Sequence, residues 1–76
     1  MAIVRSLSEG AQAVKIHPTE TDMFYQVVTT GDGRRYLHLT TFGSNARVAT
    51  PKSSQSIQLD AKMAEELLRL LVDTFG

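Results

Sequence analysis

Between Gly33 and Leu59 the chain contains no Asp or Glu, yet it carries Arg34, Arg35, Arg47 and Lys52. The remaining residues hold all eight acids and the other half of the eight bases. A chain of zero formal net charge therefore contains a locally basic stretch. Small polar side chains crowd it, among them Thr40, Thr41, Ser44, Asn45, Thr50, Ser53, Ser54, Gln55, Ser56 and Gln58. Tyr36 and Phe42 also lie there, with His38 between them. Aromatic faces that stack on bases, beside cations and hydroxyl or amide groups that meet phosphate, are the chemistry of single-stranded nucleic-acid binding. In that reading Arg34, Arg35, Arg47 and Lys52 contact phosphates, and Tyr36 and Phe42 stack. His38 modulates binding as it gains charge in mildly acidic solution. A plainer reading stands beside it: Tyr36 and Phe42 pack in a second small core or in a dimer interface. Residues 43–47 read as a turn more readily than as a nest of backbone amides for an anion.

The other chemistries find little material. There is no Cys, and the only imidazoles are His17 and His38. Neither sits in a triad arrangement or at metal-ligand spacing, and no Gly-rich phosphate loop is present. The expectation is a non-enzymatic protein with no catalytic residue, no metal site and no cofactor.

The elements that must position the basic stretch can be read from local pattern. Residues 23–30 and 34–42 are β-branched and aromatic, and Gly31, Asp32 and Gly33 between them permit positive φ. They form a hairpin. Within its second strand, alternation puts Leu37, Leu39 and Thr41 on one face and Tyr36, His38, Thr40 and Phe42 on the other. Residues 11–17 alternate and predict another strand, followed by a polar connection at 18–22. Residues 56–60 predict a short strand that feeds straight into a helix over 61–74. Asp60 is a suitable N-cap for that helix. Residues 43–55 are a long polar loop, and residues 1–10 admit either a strand end or a helical turn. The expected architecture is α+β: an antiparallel sheet of about four strands followed by one C-terminal amphipathic helix, a single domain over 1–76.

The helix carries more apolar surface than a sheet can cover. Stepped at about 100° per residue, its apolar side chains span an arc of roughly 200°. A chain this short buries only about 60–65% of its unfolded surface, so association is a natural source of further stability. Disulfides are excluded by composition. A homodimer through Met63, Leu67, Leu70, Val72 and Thr74 is expected, with cover by residues 1–10 as the alternative. No run is long enough to span a bilayer, and the first residues lack the apolar core of a signal peptide. The chain reads as cytoplasmic, in a bacterial or phage style.

The order of strands, then the run Lys-Ser-Ser-Gln-Ser-Ile-Gln-Leu-Asp over residues 52–60, then an amphipathic helix, resembles the positive coactivator four family. These are small single-stranded-DNA-binding transcriptional coactivators. The resemblance covers roughly residues 11–75. It implies four antiparallel strands, a helix-paired homodimer and a nucleic-acid cradle made by curved sheets. The family's strands carry more Lys and Arg than these, and its basic segment before the last strand is stronger. The chain is also similar to short bacterial proteins that share a Tyr-Leu-x-Leu-x-Thr-Phe/Tyr-Gly-Ser stretch, here residues 36–44, and a Ser-Gln-Ser-Ile-Gln-Leu-Asp stretch, here residues 54–60, a likeness that carries no mechanism. The expected function is a homodimeric module that contacts single-stranded DNA or RNA through a basic, aromatic sheet face. The alternative is a protein–protein adaptor or inhibitor acting through the helix or a strand edge.

Overall fold

The computed structural model describes residues 1–42 and 53–76. Its elements are β1 (Ala2–Ile3), β2 (Met23–Thr29), β3 (Arg35–Phe42), β4 (Ser53–Leu59) and α1 (Ala61–Phe75). The predicted loop at 43–55, with Arg47 and Lys52, lies largely outside the described residues. The fold is α+β, one sheet followed by one helix.

The hairpin forms as its turn residues dictate. Gly33 adopts φ 87°, a left-handed conformation that favours glycine. Its amide donates to the Thr30 carbonyl at 3.0 Å, and the Thr30 amide donates to the Arg34 carbonyl at 2.8 Å. That closure sets the register Thr29↔Arg35 and runs it back to Met23↔Thr41. β3 pairs antiparallel with β4, from Leu37↔Leu59 onward, with an irregularity between Thr41 and Phe42.

Two expectations need correction. The sheet is mixed, in the order β1-β4-β3-β2, because β1 runs parallel to β4 through Ala2↔Ile57 and Ile3↔Gln58. The Val4 amide extends that pairing by donating to the Gln58 carbonyl at 2.9 Å. The fourth strand is thus supplied by the first few residues, and residues 11–17 form no strand. Their alternation suits a strand, but a strand also needs a neighbour, and among the described residues none pairs with them.

α1 begins where expected. Asp60 lies at φ −82° and ψ 178°, and its carboxylate accepts the Met63 amide hydrogen at 2.8 Å. Capping of this kind stabilises by about 0.5–2 kcal/mol. One residue separates β4 from the helix, so Asp60 leaves the strand in order to cap. The helix runs one residue beyond the predicted boundary, to Phe75, and Gly76 follows at φ 99° with its amide bonded to the Val72 carbonyl at 2.8 Å.

The core is small. Among the described residues the buried apolar side chains are Leu59, 4% exposed, and Met63, 7% exposed. Met63 was expected in a dimer interface. It belongs instead to the chain's own core, because the first turn of α1 folds directly back over the end of β4. Leu67, one turn on, is half-buried. Leu70 and Leu71 bracket the same azimuth, yet they are 47% and 45% exposed. The sheet-facing stripe of α1 thus loses its cover in its second half.

Candidate nucleic-acid interface

Residues directly opposite each other on neighbouring strands share a face. The register therefore sorts the sheet's side chains into two sets. One set comprises Val27, Leu37 and Leu59 in a row, then Tyr25, Leu39 and Ile57. The first turns of α1 lie over this set. An open cleft of about 250 Å³ there is lined by Val27, Arg35, Leu37, Leu59 and Ala64, among others. The other set comprises Val28 beside Tyr36, then Gln26, His38 and Gln58 in a row, then Phe24, Thr40 and Ser56.

This second face carries the chemistry. Gln58 Nε2 lies 3.1 Å from His38 Nδ1. An amide nitrogen can only donate, so Nδ1 is the acceptor in this contact. The Thr40 hydroxyl donates to the Gln55 carbonyl at 3.1 Å. The Phe24 and Phe42 rings meet edge to face, with centroids 5.3 Å apart and an interplanar angle of 65°. The Thr21 hydroxyl donates to the Phe42 carbonyl at 2.7 Å and ties down the end of β3. Tyr36 at one end and Phe42 with Phe24 at the other stand roughly 20 Å apart along β3, at about 3.3 Å per residue. An imidazole and two primary amides lie between them.

The predicted residues distribute unevenly over this geometry. Tyr36, His38 and Phe42 share the face and are each half-buried. Arg35 pairs with Thr29 and alternates onto the helix side with Leu37, the side opposite His38, and Tyr36 borders the same cleft. Arg34 precedes β3 and is held by Asp32, Nε to Oδ2, at 2.9 Å. Arg47 and Lys52 lie outside the described residues. The dimer candidates Leu70, Val72 and Thr74 are exposed, and the Thr74 hydroxyl donates to the Leu70 carbonyl at 2.7 Å.

Sequence reasoning missed two features. Phe24, Gln26 and Gln58 complete the face, and anchoring the hairpin register on Gly33 would have found the first two. Asp32 lies one residue before the acid-free stretch and partners its first cation. Its carboxyl sits below the usual carboxylate range, chiefly because it accepts the Thr30 hydroxyl hydrogen and secondly because Arg34 donates to it. Both partners are largely exposed, so water and salt screen the pair. A phosphate can therefore compete for Arg34.

Among the described residues no three metal-ligating side chains converge, and no helix is long and apolar enough to cross a membrane. Comparison with protein-family models, with curated proteins and with solved structures returned no match.

Proposed function

We propose that this chain is a non-enzymatic, homodimeric, cytoplasmic module that binds single-stranded nucleic acid on the helix-free face of its sheet. The observation that carries the reading is the composition of that face. Tyr36 stands at one end, Phe42 and Phe24 stand at the other, and Gln26, His38 and Gln58 form a polar row between them. Aromatic rings supply stacking of roughly 1–3 kcal/mol per base, tolerant of base identity. The amides and the imidazole offer both donors and acceptors to base edges. Arg34 lies at the turn end, where it can exchange Asp32 for a phosphate, and Arg47 and Lys52 supply further positive charge. The helix-paired dimer implied by the resemblance to the positive coactivator four family is a precedent for such an assembly. Leu67, Leu70, Val72 and Thr74 on α1 are its proposed contacts.

The test is fluorescence anisotropy with a labelled oligothymidylate at low salt. The expected result is binding that weakens steeply with added salt, because displaced counterions drive phosphate contacts. Tyr36→Ala and Phe42→Ala weaken it further, and Arg34→Gln flattens the salt dependence. No anisotropy change at low salt would rule the reading out. The second reading is a protein adaptor or inhibitor. It draws on the exposed apolar side chains of α1 and of β2. It predicts a stable complex with a different polypeptide and no response to the oligonucleotide.

A further inference from the structure

β1 and β2 stand at opposite edges of the sheet, yet they run in the same direction. β1 is parallel to β4, and β4 and β2 are each antiparallel to β3. Residues 5–22 therefore join two parallel strands and pass two others on the way. Such a crossover has a hand, and it is right-handed in about 98% of cases. The hand decides which face of the sheet the connection crosses.

The Val4 amide donates to the Gln58 carbonyl, so that carbonyl points towards β1. Gln58 lies on the helix-free face, in one row with His38 and Gln26. On an ascending strand of L-residues, a side chain turned towards the viewer has its own carbonyl on the right. Seen from the helix-free face with β4 ascending, β1 is therefore on the right. Seen from the helix side, β1 is on the left and β2 is on the right. A right-handed path from left to right between ascending strands passes in front of the sheet. Residues 5–22 thus belong on the side that carries α1.

That side has room for them. Tyr25 is 73% exposed and Val27 is 65% exposed, and the open cleft is bordered by Val27 of β2 and Ala64 of α1. The connection brings matching side chains. Alternation over residues 11–17 puts Gln12, Val14 and Ile16 on one side, and Val14 and Ile16 are 80% and 97% exposed. Charge matches as well. Arg35 borders the cleft and has no ion pair among the described residues, and Glu9 lies just ahead of the alternating run. Length is in surplus. Val4 and Met23 stand about 20 Å apart, three strand spacings across and four residues along. The residues between them supply on the order of 60 Å of chain, enough to settle on the face instead of stretching over it.

We infer that residues 5–22 are a strap poised to close on the helix side of the sheet, seating Val14 and Ile16 between α1 and β2 against Val27 and Tyr25, with Glu9 paired to Arg35. Residues 5–10 round the joint at Asp60, and residues 11–17 descend towards Met23. In the structure the strap is open, with every one of its residues exposed. Closed, it withholds the apolar flank of β2 from any other polypeptide and leaves the helix-free face untouched. Opening of the strap is then the condition for the adaptor reading, whereas nucleic-acid binding on the opposite face proceeds with the strap in either position.

Engineered thiols test it, since the chain has no Cys of its own. The Val14→Cys/Val27→Cys double variant, oxidised at high dilution, should form a disulfide within one chain. Val28 lies on the opposite face from Val27, so Val14→Cys/Val28→Cys should stay largely reduced under the same conditions. A disulfide that prefers Val28 overturns the inference, because the connection would then cross the helix-free face. Disulfides that form only between chains, or in neither variant, overturn it too. A second readout needs no thiols. Trypsin cleaves after Lys15 when the strap is open. Val27→Asp spoils the seat without altering the cleavage site, and circular dichroism should show the helix intact. Cleavage should become several-fold faster than in the wild type, with a smaller acceleration for Glu9→Gln. Equal rates in the wild type and in a folded Val27→Asp variant mean that the strap never closes.

Discussion

The two faces of the sheet are built from the same strands, one residue apart, and they differ in what they carry. The face containing Val27, Leu37 and Leu59 is apolar and receives the first turns of α1. The face containing Tyr36, His38 and Gln58 is mixed, half-buried and free of the helix. Under the proposed function, burial and recognition are separated by the pleat alone. A substitution on one face should move stability, and its neighbour in sequence should move affinity.

The largest effect is expected at Leu59, the most completely buried of the core apolar side chains. Leu59→Ala leaves a cavity under α1 and should cost about 2–5 kcal/mol in a denaturant melt. The fraction that remains folded should bind the oligonucleotide normally. Loss of binding with no loss of stability would break the comparison at its strongest point. Next comes Tyr36→Ala, on the opposite face. It should lower affinity for the labelled strand by about 1–3 kcal/mol per base no longer stacked, with the larger part of the change in affinity rather than in melting. If Tyr36→Ala melts the fold as Leu59→Ala does, the aromatic face is a second core.

Asp60→Ala removes the cap that joins β4 to α1 and should cost about 0.5–2 kcal/mol by thermal melting, with affinity unchanged. The smallest effect belongs to the hairpin turn. The Asp32 carboxyl is held below its ordinary value of 3.8 by Thr30 and Arg34. Its contribution is therefore complete above that ordinary value and is lost as pH falls through the lower folded-state value. Amide shifts at Gly33 and Arg34 should report that loss on acidification, and Asp32→Asn should abolish it. The same variant frees Arg34, so at neutral pH it should tighten binding to the oligonucleotide slightly.

The parts of the fold legible in the sequence are those fixed by neighbouring residues. Gly33 announces the hairpin turn, Asp60 announces the cap, and residues 61–75 consist largely of strong helix formers, so hairpin and helix follow from short-range pattern. Pairings between distant segments are less accessible. Two residues at the start of the chain cannot advertise a parallel contact with Ile57 and Gln58. Residues 11–17 carry a strand's alternation without a partner to complete it. Met63 shows a related limit: its azimuth on the helix was correctly read as apolar, but only the single-residue joint at Asp60 shows that the first turn lies against its own sheet.

The candidate site divides in the same way. Period-two alternation placed Tyr36, His38 and Phe42 together, and the edge-to-face contact with Phe24 keeps Phe42 on that side despite the irregularity after Thr41. The same alternation separates Arg34 from Arg35, a consequence hidden when the two were treated as one basic pair. Asp32 lies just outside the acid-free stretch, yet it partners Arg34 because charge on a turn acts across its two sides and not along the sequence.

The single residue between β4 and α1 has a mechanical consequence. A joint this short has no slack, so strand and helix behave as one bent rod with its elbow at Asp60. Gln58 lies two residues from that elbow, on the helix-free face. Were a molecule to bind the proposed interface, any torque it applied to β4 at Gln58 would pass to the axis of α1, where the exposed Phe75, farthest from the elbow, would sweep through the widest arc.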